Sequence, residues 1–323
     1  MRQIVLIGVA AGAASALLFA SIVSGSLLSI PLFNLAPLPI LIAAIGWSHL
    51  AGLLAAFFAA ASLAVVFGGL LFLNFLIGIG LPAWWLAYLV LLARPAGSAP
   101  GDRLEWYPVG RIVIWASLLA SVIVALVIFM IATDVETLRT TFRRSLAVLL
   151  RMQGPVPPDG APERPTRFFV QMLLDNPDRV LPPAAAVLTT LMQVFTLWLS
   201  ARIVQISGRL TRPWPPIAAM TFPPSALSLL VGALFGSFLP GMIGIFSSVV
   251  VASLLTAYGL LGLAVLHTLT RQVNGRGFVL GGVYAAIAVF GWPLLLMTLL
   301  GLADTALDLR RRFAGGRPRP PNT

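Results

Sequence analysis

The sequence contains neither cysteine nor lysine, and it has few charged residues of any kind. Without cysteine, disulfides, thiolate metal sites and cysteine nucleophiles are all excluded. The 21 basic residues are all arginine, which we attribute to the composition of the source genome rather than to function. Charged residues make up 10% of the chain, whereas a soluble domain typically carries about 25%. The scarcity of charge therefore excludes an ordinary water-soluble fold.

The chain has long uncharged stretches instead. The last of them, residues 277–302, precedes the cluster Arg310, Arg311 and Arg312. A membrane-spanning helix needs about 20 apolar residues, and a charged cluster beyond it stays in water. The sequence thus predicts an all-α, polytopic transmembrane helix bundle. About eight spans are expected, or nine if the second is really two; they fall near residues 4–28, 39–68, 70–92, 112–132, 182–206, 217–239, 242–266 and 277–302.

The first apolar run could be mistaken for a secretion signal. It is longer than a typical signal peptide core and further spans follow, so we expect an uncleaved first helix. Within it Gly8, Gly12 and Ala16 recur every four residues and share one helical face. Small residues let a second helix approach closely in lipid. This face either packs inside the bundle or docks on a partner protein.

A break in the helical pattern indicates where a cavity could lie. Residues 30–39 contain three prolines and Asn34, and the next apolar run is interrupted just before His49. Broken backbone at bilayer depth is tolerated only where protein or a wet cavity covers it. We therefore predict a small-molecule cavity near Asn34, His49, Asn74 and Trp84. Each also has a plainer interpretation as a packed or interfacial residue.

The segment 133–181 is the one sizeable region predicted to lie outside the membrane. Thr133 and Glu136 match a capping box that starts a helix. The apolar residues that follow fall on one side of this helix, and the arginines fall mostly off it. A basic amphipathic helix of this kind lies along the membrane surface. We accordingly divide the chain into a bundle (1–132), a surface insertion (133–181), a second bundle (182–309) and a disordered basic tail (310–323).

The arginines also predict how the chain sits in the membrane. The net charge is +11, but the arginines lie beside apolar runs, so we expect contact with lipid headgroups and not with nucleic acid. With eight spans, more arginines lie on the side of Arg2, the insertion and the tail. This bias predicts a multi-pass protein of the bacterial inner membrane with both termini in the cytoplasm.

No arrangement of residues typical of catalysis is present. Paired carboxylates, a histidine–carboxylate metal motif and a phosphate-binding glycine loop are all lacking, so we predict no catalytic residues, no metal, no cofactor and no enzymatic activity. Asp304 and Asp308 are four residues apart and would share one face of the last helix. They are interpreted either as a salt-bridged helix end or as contacts for a partner.

The C-terminal region resembles a known family. Residues 262–267 (Gly-Leu-Ala-Val-Leu-His), the last apolar stretch, and then Asp304, Asp308 and residues 310–312 resemble the YybS-like family of uncharacterised bacterial multi-pass membrane proteins. That family is distantly similar to the substrate-binding subunits of energy-coupling-factor vitamin transporters. In those subunits the small-residue face of the first helix docks on the coupling subunit. The resemblance thus implies docking roles for the small residues at positions 8, 12 and 16.

Two functional hypotheses follow. The first is a membrane protein that binds or transports a small, mostly apolar molecule, in the manner of a transporter substrate-binding subunit and with an energising partner subunit. The second is a membrane scaffold that recruits partners through the helix at 133–150 and the C-terminal tail. A pocket among the first spans would favour binding, and a solidly packed bundle would favour the scaffold.

Overall fold

The computed structural model describes residues 1–26, 28–96, 104–152, 171–216 and 220–314, and nearly all of this backbone is helical. The helices, in chain order, are α1 (Arg2–Ala20), α2 (Ser29–Asn34), α3 (Pro37–Gly46), α4 (His49–Phe67), α5 (Gly69–Phe75), α6 (Leu81–Leu91), α7 (Val109–Ile131), α8 (Val135–Met152), α9 (Pro177–Ile206), α10 (Pro224–Ser237), α11 (Met242–Leu269), α12 (Arg276–Phe290), α13 (Pro293–Leu307) and α14 (Leu309–Ala314). A π-helical turn, Leu76–Gly80, joins α5 to α6, and a short antiparallel pair, Ala93–Pro95 with Leu104–Trp106, follows α6.

Within the described residues, seven helical stretches are long and apolar enough to cross a membrane. They are Arg2–Ser24, Ser29–Gly46, His49–Phe67, Gly69–Leu91, Val109–Ile131, Pro177–Ile206 and Met242–Leu269, and three shorter apolar helices follow or lie between them (α10, α12 and α13). This finding confirms the prediction of an all-α, polytopic membrane bundle.

The region 39–68 contains a helix break and not one long span. The chain turns at Trp47, and the side chain of Ser48 accepts a 3.0 Å hydrogen bond from the backbone N–H of Leu50. This bond caps the start of α4 and satisfies a donor that has no partner within the helix. Of the two alternatives left open by the sequence, the structure thus has the two-helix arrangement.

The last apolar stretch is divided, which the hydropathy pattern did not predict. Gly291 has φ +71°, a left-handed conformation that a glycine adopts readily, and Pro293 begins the next helix without a backbone donor. The single span predicted over 277–302 is therefore wrong. Two 15-residue helices, α12 and α13, take its place.

The fifth predicted span begins earlier than expected. α9 starts at Pro177, so Pro182 and Pro183 lie inside the helix and not in its first turn. Starting at 177 brings Asp178 into the first turn, where a carboxylate interacts favourably with the helix dipole.

Small residues set the closest helix contacts. A Cβ added at Gly8 would lie 2.9 Å from the Cβ of Leu54, and one added at Gly12 would lie 2.6 Å from the carbonyl oxygen of Ala55. α11 and α13 are packed as closely, because Gly262 lies against the carbonyl oxygen of Met297. Neither pair of helices could approach this closely with larger side chains between the backbones.

The contacts define two ends of the bundle. Gly8 and Gly12 lie beside the first turns of α4, so α1 and α4 run parallel and Met1 lies at the same end of the bundle as Trp47. The guanidinium of Arg209 lies 4.4 Å from the centroid of the Trp47 ring, which places the loop after α9 at this same end. We call it the N-terminal end, and the opposite end, which carries α8, the surface-helix end.

The number of spans before α8 changes the predicted side of the membrane for Met1 relative to α8. Five candidate spans precede α8, an odd number, so Met1 and α8 lie at opposite ends of the bundle. The arginine count placed both on one side because it treated 39–68 as a single span. That count therefore does not apply to this arrangement.

The surface helix α8 is tied to the bundle by polar and apolar contacts. Its cap is Asp134 and not the predicted Thr133, since the backbone N–H and the hydroxyl of Thr137 donate to the Asp134 carboxylate at 2.8 and 2.7 Å. Leu138 is fully buried against α7, α9 and α11. Arg139 donates two hydrogen bonds, of 3.0 and 3.2 Å, to the buried carboxylate of Asp178.

Hydrophobic clusters cross the predicted domain boundaries. Val204 of α9 packs in one cluster with Ile40 and Leu86, and Val113 of α7 packs in another with Tyr258 of α11. The division into two membrane bundles, an insertion and a tail remains a prediction. Most of the predicted tail, from residue 315 onward, and residues 153–170 of the insertion lie outside the described residues.

Candidate ligand groove

An apolar groove of about 690 Å³ lies between α7, α9 and α11 at the N-terminal end. Its floor is formed by buried residues of α7 and α11, among them Ile112, Ala116 and Ala264. A volume of this size lies within the range of about 300–1,000 Å³ that is typical of small-molecule sites.

The groove opens sideways, toward the surroundings of the bundle. Phe195 and Trp198 of α9 line it and are 45% and 48% exposed, and Met192 next to them is 39% exposed. These residues belong to a helix that is long and apolar enough to span a membrane. A molecule dissolved in the bilayer could therefore reach the groove without passing through water.

The loop after α9 closes the groove at its N-terminal end and brings a buried cation to it. Arg212 is 8% exposed, and its guanidinium donates hydrogen bonds to the backbone oxygens of Tyr107 (2.9 Å) and Val90 (3.4 Å). Burial lowers the pKa of Arg212 below its ordinary value, yet a guanidinium remains protonated in proteins. Among the described residues no carboxylate forms an ion pair with it.

Further polar groups surround the same mouth. Trp214 lines the groove, and the guanidinium of Arg202 lies 5.6 Å from its ring centroid. On the other side, His267 Nε2 and the Tyr284 hydroxyl are 2.9 Å apart, and Arg276 Nη2 is 3.4 Å from His267 Nδ1. The groove is thus apolar along its length and basic at one end.

A second groove, of about 570 Å³, lies nearer the surface-helix end. It contains Asn34 and Asn74, together with Gln193 and Thr196 of α9. The Asn34 side chain donates to the carbonyl oxygen of Ile30 at 2.8 Å, whereas Gln193 Oε1 is buried with no described partner. The π-helical turn Leu76–Gly80 forms part of its wall, and such turns are frequent at functional sites.

The structure brings together two of the four predicted cavity residues and separates the other two from them. His49 and Trp84 meet through Tyr88, whose ring centroid is 5.6 Å from that of His49 and 6.1 Å from that of Trp84. Asn34 ends α2, before α3, and His49 follows α3, so about 15 Å of helix separates them. One cavity shared by all four residues is therefore not present in the described part of the chain.

The residues predicted to dock a partner have contacts of their own. Gly8, Gly12 and Ala16 are buried, the two glycines against α4. Asp304 is buried and accepts hydrogen bonds from the Arg310 side chain at 2.7 and 2.9 Å. Asp308 follows the last residue of α13 with φ +53°, so the two aspartates do not share a helical face as predicted. Docking by any of these residues remains a prediction.

Arg212 was not among the residues predicted from the sequence, since it lies in the short gap between the predicted spans 182–206 and 217–239. The composition of this loop was the one sequence feature that could have indicated Arg212. Three tryptophan or arginine residues, Arg209, Arg212 and Trp214, stand in one short loop with no acidic residue near them in the sequence. That the loop folds back over a groove depends on contacts with residues more than 100 positions away.

These features define a polytopic α-helical membrane protein with an apolar groove inside its bundle. A family model matches residues 13–305, nearly the whole chain, and the chain belongs to that family, which is described as predicted membrane protein (DUF2232). No curated protein and no solved structure matches the chain.

Proposed function

We propose that this membrane protein binds a small, mostly apolar molecule in the groove between α7, α9 and α11. The observation that carries the proposal is a groove of about 690 Å³ with apolar walls and a few polar groups at one end. This composition is typical of small-molecule sites. The lateral opening suits a ligand that partitions into lipid.

The resemblance to transporter substrate-binding subunits is compatible with this proposal. Such a subunit holds its ligand inside a helix bundle and depends on a partner that supplies energy. Copurification with an ATPase pair would support a transport role. Copurification of ligand alone would support binding without transport.

The scaffold alternative depends on α8 and the C-terminal tail. Arg139 and Arg143 attach α8 to the rest of the chain, the latter through the backbone oxygens of Leu174 and Asp175 at 3.0 and 3.1 Å. A helix held in a fixed position could present its exposed face to a partner in water. Deletion of the tail with retention of ligand would separate the two functions.

Native mass spectrometry of the detergent-purified protein tests the binding proposal. Ala201→Phe places a ring in the groove, and Ala185→Phe adds the same ring to an exposed position of α9 that lines neither groove. We expect a copurified apolar molecule in the wild type and in Ala185→Phe, and its loss in Ala201→Phe. An equal content in all three proteins, or none in the wild type, would contradict the proposal.

We also propose that Met1 and α8 lie on opposite sides of a bacterial inner membrane, in place of the cytoplasmic position expected for both. Five candidate spans precede α8. α13 runs parallel to α11, toward the N-terminal end, since Gly259 contacts Leu294 and Gly262 contacts Gly301 further along both helices. The absence of cysteine makes single-cysteine labelling clean. A membrane-impermeant maleimide should reach Ser207→Cys and Ser145→Cys from opposite sides, and labelling from one side would contradict this arrangement.

A further inference from the structure

We propose that the occupant of the groove is an anionic lipid, with its phosphate against Arg212 and a hydrocarbon chain along α7, α9 and α11. This inference rests on the proposed function and goes beyond it by naming the chemical class of the ligand. Three observations support it: the state of Arg212, the charge around it, and the length and depth of the groove.

The first observation is that Arg212 is a buried cation with unused donors. A guanidinium has five N–H donors, and the hydrogen bonds to Val90 and Tyr107 occupy one on each of two nitrogens. Both acceptors are neutral carbonyl oxygens. A buried charge is normally paired, because its separation from water is costly. A phosphate oxygen in the groove would supply the missing negative charge in the bidentate geometry that arginine favours.

The second observation is the charge at this end of the bundle. Arg202 and Arg276 contact Trp214 and His267, which line the groove. Three carboxylates of the described residues lie at this end: Glu105 is paired with Arg94 at 2.8 Å, Asp304 is paired with Arg310 at 2.7 Å, and Asp308 follows α13. The mouth therefore favours an anion. Basic pockets between transmembrane helices are typical binding sites for anionic lipid headgroups.

The third observation is the length and the depth of the groove. On α9 its lining extends from Leu191 to Ala201, which corresponds to about 15 Å of helix. The hydrocarbon core of a bilayer is about 30 Å thick, so the groove matches the depth of one leaflet. Arg212 lies in the loop beyond α9, at the level where a phosphate would be if the chain entered the leaflet.

These features together distinguish the lipid from simpler occupants. A neutral apolar molecule would fill the groove but leave Arg212 without an anion. A soluble phosphate would pair with Arg212 but leave the apolar walls uncovered. An anionic lipid satisfies both parts of the site and reaches it through the lateral opening beside Phe195 and Trp198.

The test uses the full-length protein in nanodiscs that contain equal amounts of phosphatidylglycerol and phosphatidylcholine. The lipids that remain bound after transfer to detergent are then identified by native mass spectrometry. Since a charge-assisted hydrogen bond corresponds to roughly a tenfold change in binding, we expect about tenfold enrichment of phosphatidylglycerol. Arg212→Gln should bring the ratio close to one. Arg209→Gln, on the Trp47 ring and outside the groove, should leave it unchanged.

The outcomes distinguish a failure of the anionic-lipid proposal from a failure of the proposed binding of a small molecule in the groove. If the wild type retains both lipids equally, the anionic class is wrong although binding in the groove stands. If Ala201→Phe retains the same molecules as the wild type, the groove is not the site and both proposals fail. If inorganic phosphate stabilises the wild type but not Arg212→Gln, and phosphatidylglycerol is not enriched, the ligand is a soluble anion and the lipid proposal is overturned.

Arg212 also holds its loop to two neighbouring segments, so Arg212→Gln could fail to fold. The wild-type lipid ratio then decides the proposal by itself. Arg202→Gln provides a second variant, since Arg202 is exposed and its side chain contacts the groove only through Trp214. A lower enrichment of phosphatidylglycerol in Arg202→Gln than in the wild type would support an anion at this mouth. A ratio of phosphatidylglycerol to phosphatidylcholine close to one in the wild type would contradict it.

Discussion

The α11–α13 interface and the groove beside it are both apolar, yet one is closely packed and the other is hollow. At the interface Gly262 and Gly301 bring the two backbones into contact. At the groove, the large side chains of Phe195, Trp198 and Trp214 line an open space between the helices. In the absence of a hydrophobic force between helices in lipid, side-chain size decides which helices touch. A low-polarity sequence can thus build both a solid interface and a binding site.

The largest expected effect would come from breaking the packed interface. Gly262→Val places a branched side chain against the backbone of Met297, which cannot move aside as a flexible side chain could. We expect almost no folded, monodisperse protein by size-exclusion chromatography in detergent. The matched control is Gly282→Val in α12, where nothing lies within 4 Å of an added Cβ. Equal yields of the two variants would contradict the importance of this contact.

A neighbouring pair of leucines compares the packed region and the groove directly. Leu261 is fully buried, and Leu263, two residues on, lines the groove. Leu261→Ala should lower the free energy of unfolding by about 3 kcal/mol, because it creates a cavity. Leu263→Ala should cost less than about 1 kcal/mol, because it only enlarges an existing space. Thermal unfolding in detergent measures both, and similar losses would show that the groove wall is as tightly packed as the core.

A third interface is held by polar contacts and should show an intermediate effect. Asp178→Asn removes the charge that pairs with Arg139 and should lower the free energy of unfolding by about 2 kcal/mol. Hydrogen exchange of residues 135–148 should also increase as α8 loosens. Glu136→Gln is the control, since Glu136 is 71% exposed and lies 3.5 Å from Arg139, and its effect should be below about 0.5 kcal/mol.

The smallest expected effect concerns the cap of α8. The backbone N–H and hydroxyl of Thr137 hold the pKa of Asp134 below its ordinary value. The capping contribution is thus present above the ordinary pKa of about 3.9 and is lost as the pH falls through the lowered value. The chemical shift of the Thr137 amide should titrate with a midpoint below 3.9. Asp134→Asn, which caps without titrating, should abolish this transition, and a midpoint at the ordinary value would contradict the assignment.

Several features were predictable from local pattern alone. Length and hydropathy predicted the membrane helices, and the small-residue repeat of Gly8 and Gly12 predicted a close helix contact. The amphipathic pattern predicted α8, although its cap lies one residue later than expected. Asn34 and Asn74 line the second groove, whereas His49 and Trp84 belong to a separate aromatic cluster. Proximity along a broken helix does not fix which face each side chain occupies.

The sequence by itself determined that this chain hides its backbone in membrane helices, because long uncharged runs leave no other way to satisfy backbone hydrogen bonds in lipid. Only the tertiary structure decided where the bundle is hollow, that a glycine divides the last apolar stretch, and that Arg212 points into the groove. The physical reason is that hydropathy reports the preferred solvent of each residue, whereas a groove depends on the sizes of side chains that meet from distant parts of the chain.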